Sequence, residues 1–125
     1  LTLEARTGID DAVVEIGIST LDGVRVTSSF NVDGELPPMV LPEGWSRVVL
    51  DLDPFLLPRQ YVIDASLSHI HRSGMTIDHV ERVMDFTVLN MSEQGNDSHF
   101  PYHARGFVRP PGQWHPPDPV EALGR

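Results

Sequence analysis

Apolar and polar residues alternate along much of this chain, which is the period of extended strands. Residues 11–20, DAVVEIGIST, place Val14, Ile16 and Ile18 on one face and Val13, Glu15 and Gly17 on the other. Residues 24–30, VRVTSSF, form a second β-rich run, with Val24 and Val26 on one side and Arg25 and Thr27 on the other. Leu21-Asp22-Gly23 lies between the two runs, and an Asp-Gly step there predicts a hairpin. Residues 31–44 contain Gly34, Pro37, Pro38, Pro42 and Gly44 and read as a loop. Residues 45–52, WSRVVLDL, resume strand character until Asp53-Pro54 and Leu57-Pro58 interrupt it. Residues 61–70, YVIDASLSHI, alternate most cleanly. Tyr61, Ile63, Ala65, Leu67 and His69 point one way; Val62, Asp64, Ser66 and Ser68 point the other. Residues 72–74 read as a turn and 76–82 as a short ambiguous run. Residues 82–89 predict a strand with Met84, Phe86 and Val88 inward. Residues 90–99 read as polar and mobile, and 107–109 as a short last strand before Pro110 and Pro111.

No segment carries a long helical period, and no internal repeat is visible. Six or seven short strands with turns every ~8–12 residues predict an all-β, antiparallel β-sandwich. The 125 residues suit one domain, expected over 1–114, with a flexible Pro-rich C-terminal tail over 115–125.

Composition narrows the partners. Acidic residues outnumber basic ones 18 to 9, for a formal net charge of −9. That argues against nucleic acid, whose binding rests on neutralising phosphates, and against anionic lipid. All nine basic residues are Arg. The absence of Cys removes disulfides, thiolate nucleophiles and Cys-ligated zinc, and fits a reducing compartment. No apolar run approaches the ~18 residues of a membrane span, and no signal peptide opens the chain. The first residue is Leu rather than Met, and a longer parent protein is expected.

Several local patterns occur in a particular order. VEIGISTLDG at 14–23 is followed by a run containing Ser28-Ser29-Phe30-Asn31. A Trp-containing strand comes next, then Leu56-Leu57-Pro58, then Tyr61 opening the alternating strand. Phe86-Thr87-Val88, Arg105-Gly106-Phe107-Val108 and Trp114 complete the series. This order resembles the C-terminal domain of Wzt-type ATPase subunits of ABC transporters that export O-antigen and related polysaccharides. The resemblance covers most of residues 1–114. One departure is that Pro58 is followed by Arg59-Gln60 where the family typically has Pro-Gly. The resemblance implies an immunoglobulin-like β-sandwich that binds the exported glycan, and a homodimer formed by exchange of the C-terminal strand. It also implies a cytoplasmic position, held at the inner membrane through the transporter's ATPase and membrane subunits. The nucleotide-binding half is not in this chain, so no ATPase chemistry is assigned to it.

Glycans are read by aromatic faces stacked on sugar C–H surfaces and by planar polar groups that bond hydroxyls. The polar side of the 61–70 strand, Asp64, Ser66 and Ser68, is the leading candidate face, extended by Asp85 and Thr87. Its plain alternative is a solvated sheet face. Trp45, Tyr61, Tyr102 and Trp114 are the aromatic candidates; Tyr61 reads as core, with its hydroxyl near an edge. Arg47 joins Trp45 in the candidate set. His69 and His71 share a face at i and i+2 and are placed at the rim as sugar-bonding groups. Asp78 or His79 would be needed to close a metal site with them, no third ligand has diagnostic spacing, and no metal or cofactor is expected. Asp51 and Asp53 read as two carboxylates on one strand face, but sequence neighbours do not make a glycosidase cleft. The expectation is therefore a non-catalytic carbohydrate-binding module. The competing reading is an immunoglobulin-like interaction or dimerisation module without a glycan ligand.

Overall fold

A computed structural model describes residues 1–71, 75–89 and 106–120. Among these residues seven strands run in order: β1 (Thr2–Ala5), β2 (Ile9–Thr20), β3 (Arg25–Phe30), β4 (Met39–Leu41), β5 (Gly44–Arg47), β6 (Arg59–His69) and β7 (Thr76–Val88). All pairings are antiparallel. β1 and β5 form a small sheet. The larger sheet has the order β3-β2-β6-β7, with β4 on the same edge of β2 as β3. The two sheets make an immunoglobulin-like β-sandwich, with no helix among the described residues.

The alternating runs form the centre of the large sheet. Val14, Ile16 and Ile18 of β2 sit opposite Leu67, Ala65 and Ile63 of β6, so one face of the pair is apolar. The Asp-Gly hairpin forms as the sequence predicts, with Gly23 at φ 91°. Thr20 holds the turn: its hydroxyl donates to Asp22 and accepts from the Val24 amide at 3.1 Å. Asn31 bridges the gap between β3 and β4. Its Oδ1 accepts from Val14 N at 2.7 Å, and its Nδ2 donates to Ala12 O at 3.2 Å. A side-chain amide thus satisfies backbone groups of β2 at the break between β3 and β4.

Tyr61 is fully buried, as its apolar neighbours on that face predict. Its hydroxyl donates to Leu57 O at 2.5 Å and lies 3.3 Å from Phe107 O. A tyrosine bonded to backbone a few residues upstream is the tyrosine corner of immunoglobulin-like sandwiches. Leu57 N donates to the same Phe107 carbonyl at 2.7 Å, and Arg109 N donates to Phe55 O at 2.6 Å. The expected last strand is therefore a single bridge, Val108 to Leu56.

Several expectations are corrected. The loop at 31–44 contains β4 and runs into β5, because Met39–Leu41 lies between the prolines rather than on them. The strand expected over 45–52 stops at Arg47. Asp51 and Asp53 therefore share no strand face, and Asp53 instead accepts the Phe55 amide at 3.2 Å in an Asx turn. Residues 76–82 and 82–89 are one strand, broken in pattern by a bulge. Ile63 pairs with Met84 and Ala65 with Val80, so three residues of β7 face one of β6, with Arg82 at φ 54°. Two extra residues keep the parity, and Met84 and Val80 both face the apolar side. Met84 is nevertheless 54% exposed; among the described residues β7 pairs with β6 alone and stands at the edge of the sheet. The turn at 72–74, the polar stretch at 90–99 and Tyr102 lie outside the described residues.

Candidate functional site

The outer face of the large sheet collects the polar positions. Glu15, Gly17 and Ser19 of β2 pair with Ser66, Asp64 and Val62 of β6. On the other side of β6, His79, Asp85 and Thr87 of β7 pair with Ser66, Val62 and Gln60. The structure thus brings Asp64, Ser66, Ser68, Asp85 and Thr87 onto one face, as the alternation predicts.

Arg25 completes this face, and simple alternation misplaces it. A bulge at Val26 pairs Arg25 with Ser19 and Thr27 with Ile18, so Arg25 and Thr27 lie on opposite faces. Bulges re-aim side chains in this way. The Arg25 guanidinium crosses β2 above Gly17 and grips Asp64 with two bonds, Nη1 to Oδ1 at 2.6 Å and Nη2 to Oδ2 at 2.9 Å. Gly17 is required for this crossing, since a Cβ there would fall 1.2 Å from Arg25 Nη1. Asp64 is largely covered, at 16% side-chain exposure, while Arg25 is 43% exposed. The guanidinium bond holds the Asp64 carboxyl below the usual carboxylate range, against the opposing effect of burial.

Neighbouring groups extend the network. His79 Nε2 stands 3.9 Å from Asp64 Oδ2 and 4.0 Å from Glu81 Oε1. Ser66 Oγ donates to Glu15 Oε1 at 3.2 Å. Arg82, in the β7 bulge, donates to Asp85 Oδ2 at 3.1 Å. Both arginines on this face are matched to carboxylates, so the surface offers fixed acceptors and hydroxyls without a free cation among its described residues. Such a face bonds ligand hydroxyls through carboxylate lone pairs and Ser and Thr hydroxyls. The sequence reading missed Arg25, Glu15 and Gly17 as parts of the face. Their signal was the Asp-Gly hairpin, which brings the Arg25 end of β3 alongside β2.

The remaining candidates lie elsewhere. Trp45 and Arg47 share the exposed side of β5, beside Glu4 and Thr2 of β1, while Leu3 of the same sheet lines the space between the sheets. They therefore sit on the opposite outer surface from Asp64. Trp45 is 70% exposed and Trp114 is 98% exposed. His69 lies on the inner face of β6, and Asp11 Oδ1 holds its Nδ1 at 2.6 Å. His71 contributes its backbone amide to Asp11 Oδ2 at 3.1 Å. The His69 bond is the main cause that holds the Asp11 carboxyl below its ordinary range, and the His71 amide adds to it. His69 and His71 thus close the end of β6 onto β2. Among the described residues no group of three metal-ligating side chains occurs.

No family model and no curated protein matches the sequence. Among solved structures, the crystal structure of the C-terminal domain of Wzt superposes with a TM-score of 0.70 at 15% identity. The match covers 89% of this chain and 64% of that one, so this chain spans under two thirds of its length. The fold of this chain is that of the Wzt C-terminal domain. Among the described residues no helix is long and apolar enough to cross a membrane.

Proposed function

We propose that this chain is a non-catalytic carbohydrate-binding module that holds a polysaccharide for export by an ABC transporter. The outer face of the large sheet is its reading surface. The observation that carries the proposal is the pairing of the Wzt-domain fold with a preorganised polar face, built on the Arg25–Asp64 fork and the Glu15–Ser66 bond. Sugar hydroxyls donate to Asp64, Glu15 and Asp85 and accept from Ser66, Ser68 and Thr87. Trp45 and Arg47, on the opposite surface, are a separate stacking patch. His69 and His71 are assigned to the fold's edge.

The charge of the face selects its ligand. Asp64 and Asp85 each carry an arginine partner, and Glu15 and Glu81 have no arginine at ion-pair distance among the described residues. A neutral glycan fits this surface, and a strongly anionic polymer is repelled. The module works in the cytoplasm beside the transporter's ATPase and membrane subunits. Titration of the chain with neutral and uronate-bearing bacterial glycans tests the reading. Binding confined to neutral glycans, weakened about 10-fold or more by Asp64→Ala with folding intact, supports it, because bonds to charged groups are worth roughly 1.5–3 kcal/mol. Folded protein that binds none of the glycans counts against it.

A specific observation favours a second role. Between the sheets lies a cavity of about 580 Å³ lined by apolar side chains that include Leu1, Ile16, Val49, Val83 and Met84. Such a surface fits a segment from a second copy, with the 107–109 pairing exchanged between protomers to give a homodimer. Light scattering reads this directly; a monomer at all concentrations removes the exchange.

A further inference from the structure

Asp-Gly steps occur at Asp22-Gly23 and Asp33-Gly34. Their intrinsic chemistry is the same. Glycine carries no side chain, so its nitrogen approaches the carboxyl carbon of the preceding aspartate without obstruction. The fold gives the two steps opposite surroundings. At Asp22-Gly23 both reacting groups are engaged. The Gly23 amide donates to Thr20 O at 3.1 Å, and the Asp22 carboxylate accepts the Thr20 hydroxyl. Thr20 is itself 2% exposed and takes the Val24 amide on its hydroxyl at 3.1 Å, so the turn is fixed from beneath. The Thr20 bond also holds the Asp22 carboxyl below the usual carboxylate range. An ionised carboxyl does not give up its oxygen as water. At Asp33-Gly34 the nitrogen is open. Gly34 N makes no hydrogen bond to another described residue, and Asp33, Gly34 and Glu35 are all exposed. Asp33 Oδ2 accepts the Phe30 amide at 2.9 Å at an exposed position, and Oδ1 has no partner among the described residues.

We propose that Asp33-Gly34 is a site of spontaneous aspartate isomerisation, and that the hydroxyl and carbonyl of Thr20 protect Asp22-Gly23 from the same reaction. The Gly34 nitrogen bonds to Asp33 Cγ; its proton and the carboxyl hydroxyl leave as water, and a five-membered succinimide closes. Water then adds its hydroxyl to the Asp33 main-chain carbonyl carbon. The bond from that carbon to Gly34 breaks, and the proton goes to the nitrogen. One water is lost and one gained, with no oxidant or reductant. The main chain now runs through Cβ and Cγ, and the former main-chain carbonyl is a free carboxylate on Cα. That carboxylate is one carbon shorter in reach, so the Phe30 amide loses its partner, and so does the Asp33 amide's bond to Phe30 O at 3.0 Å lose its turn. Asn31, inside this turn, clasps Val14 N and Ala12 O. Isomerisation at Asp33 therefore loosens the corner between β3 and β4 from β2. The inference depends neither on the glycan reading of the outer face nor on the exchange of residues 107–109.

The two steps fall in different tryptic peptides, residues 7–25 and 26–47, and Asp33 is the only aspartate of the second. The whole chain is held at neutral pH for several weeks, folded and in concentrated guanidinium chloride. It is then digested with trypsin and with Asp-N endoproteinase, which cuts before aspartate and not before isoaspartate, so peptide left uncut at residue 22 or 33 counts the isomer. Unfolded, the two steps isomerise at similar rates. Folded, Asp33 stays within about three-fold of its unfolded rate, because one exposed bond opposes the reaction. Asp22 slows about ten-fold or more, because two bonds must break first. Thr20→Val raises the isomer at Asp22 in the folded chain and leaves Asp33 unchanged, while Thr20→Ser, which keeps a hydroxyl, stays slow. Amide NMR of the aged protein gives second signals at Val14, Phe30 and Asn31. A folded wild-type chain that isomerises at Asp22 as fast as at Asp33 would overturn the assignment without any variant. So would a folded chain that isomerises at neither step while the unfolded chain isomerises at both, or an Asp22 rate unmoved in folded Thr20→Val. Single, unshifted Val14 and Phe30 signals in a sample that holds the isomer would overturn the loosening.

Discussion

Gly17→Ala adds one methyl group where the Arg25 guanidinium crosses β2. The new Cβ would lie 1.2 Å from Arg25 Nη1, 2.3 Å from Cζ and 2.6 Å from Asp64 Oδ1. The obstructing atoms belong mainly to the end of a flexible side chain, so Arg25 swings away and the sheet stays. Two terms then oppose each other. Loss of the fork costs about 1 kcal/mol, the upper end for exposed ion pairs, because the geometry is bidentate and Arg25 is only partly covered. Alanine in a strand interior returns roughly 0.5–1 kcal/mol relative to glycine. The single variant therefore changes stability by less than about 0.5 kcal/mol. Stability of Gly17→Ala alone decides nothing, and a double-mutant cycle with Arg25→Ala does. Without the guanidinium the methyl group meets no arginine, and Gly17→Ala stabilises by its full 0.5–1 kcal/mol or so. The coupling energy comes to about 1 kcal/mol, read from urea midpoints of the four proteins. A coupling within about 0.3 kcal/mol of zero, the usual limit for independent sites, would refute the crossing of Arg25 over Gly17.

Other perturbations test other links. Asp11 and Asp64 both have depressed folded-state pKa values, through the His69 bond and the Arg25 fork respectively. A depressed carboxyl contributes stability above its unfolded value near pH 3.9 and loses it as pH falls through the folded value. Asp11→Asn and Asp64→Asn should therefore lower urea midpoints at pH 7 and flatten the loss below about pH 4; an unchanged acid limb in both would contradict the pairings. Tyr61→Phe leaves the Leu57 carbonyl without its hydroxyl partner in the core and should cost about 1–2 kcal/mol in denaturant unfolding, whereas no change would remove the tyrosine corner as a stabilising contact. The two tryptophans are 70% and 98% exposed, so native fluorescence should be red-shifted, readily quenched by acrylamide and little changed on unfolding. A blue native emission at low protein concentration would show that Trp45 is covered.

The fold was legible where period-two alternation met no interruption. Val14, Ile16 and Ile18, and Tyr61 through His69, stand on the faces that their spacing predicts. The polar face followed from the same parity, because β6 supplies Asp64, Ser66 and Ser68 and the register to β7 brings Asp85 and Thr87 alongside. Legibility failed at bulges. The Val26 bulge turned Arg25 away from Thr27, and the bulge around Arg82 disguised one long strand as two. Neither leaves a mark in hydrophobic pattern, since a bulge changes pairing count rather than composition. β4 was hidden because three residues between prolines carry too little period to read. The Asp11–His69 clasp was invisible for another reason: residues 58 apart become neighbours only after β2 and β6 choose their register. That Trp45 and Asp64 lie on opposite outer surfaces was not legible either, because a sequence does not say which outer face a strand receives.

The most direct test of the account is where a neutral bacterial polysaccharide fragment touches this chain, mapped residue by residue by amide NMR with Asp64→Ala as control. The account predicts saturable shifts at Glu15, Arg25, Asp64, Ser66 and Asp85 that Asp64→Ala removes while the rest of the spectrum keeps its native dispersion. Saturable shifts confined to Trp45, Arg47 and their neighbours on the small sheet, or binding undiminished in Asp64→Ala, would contradict it.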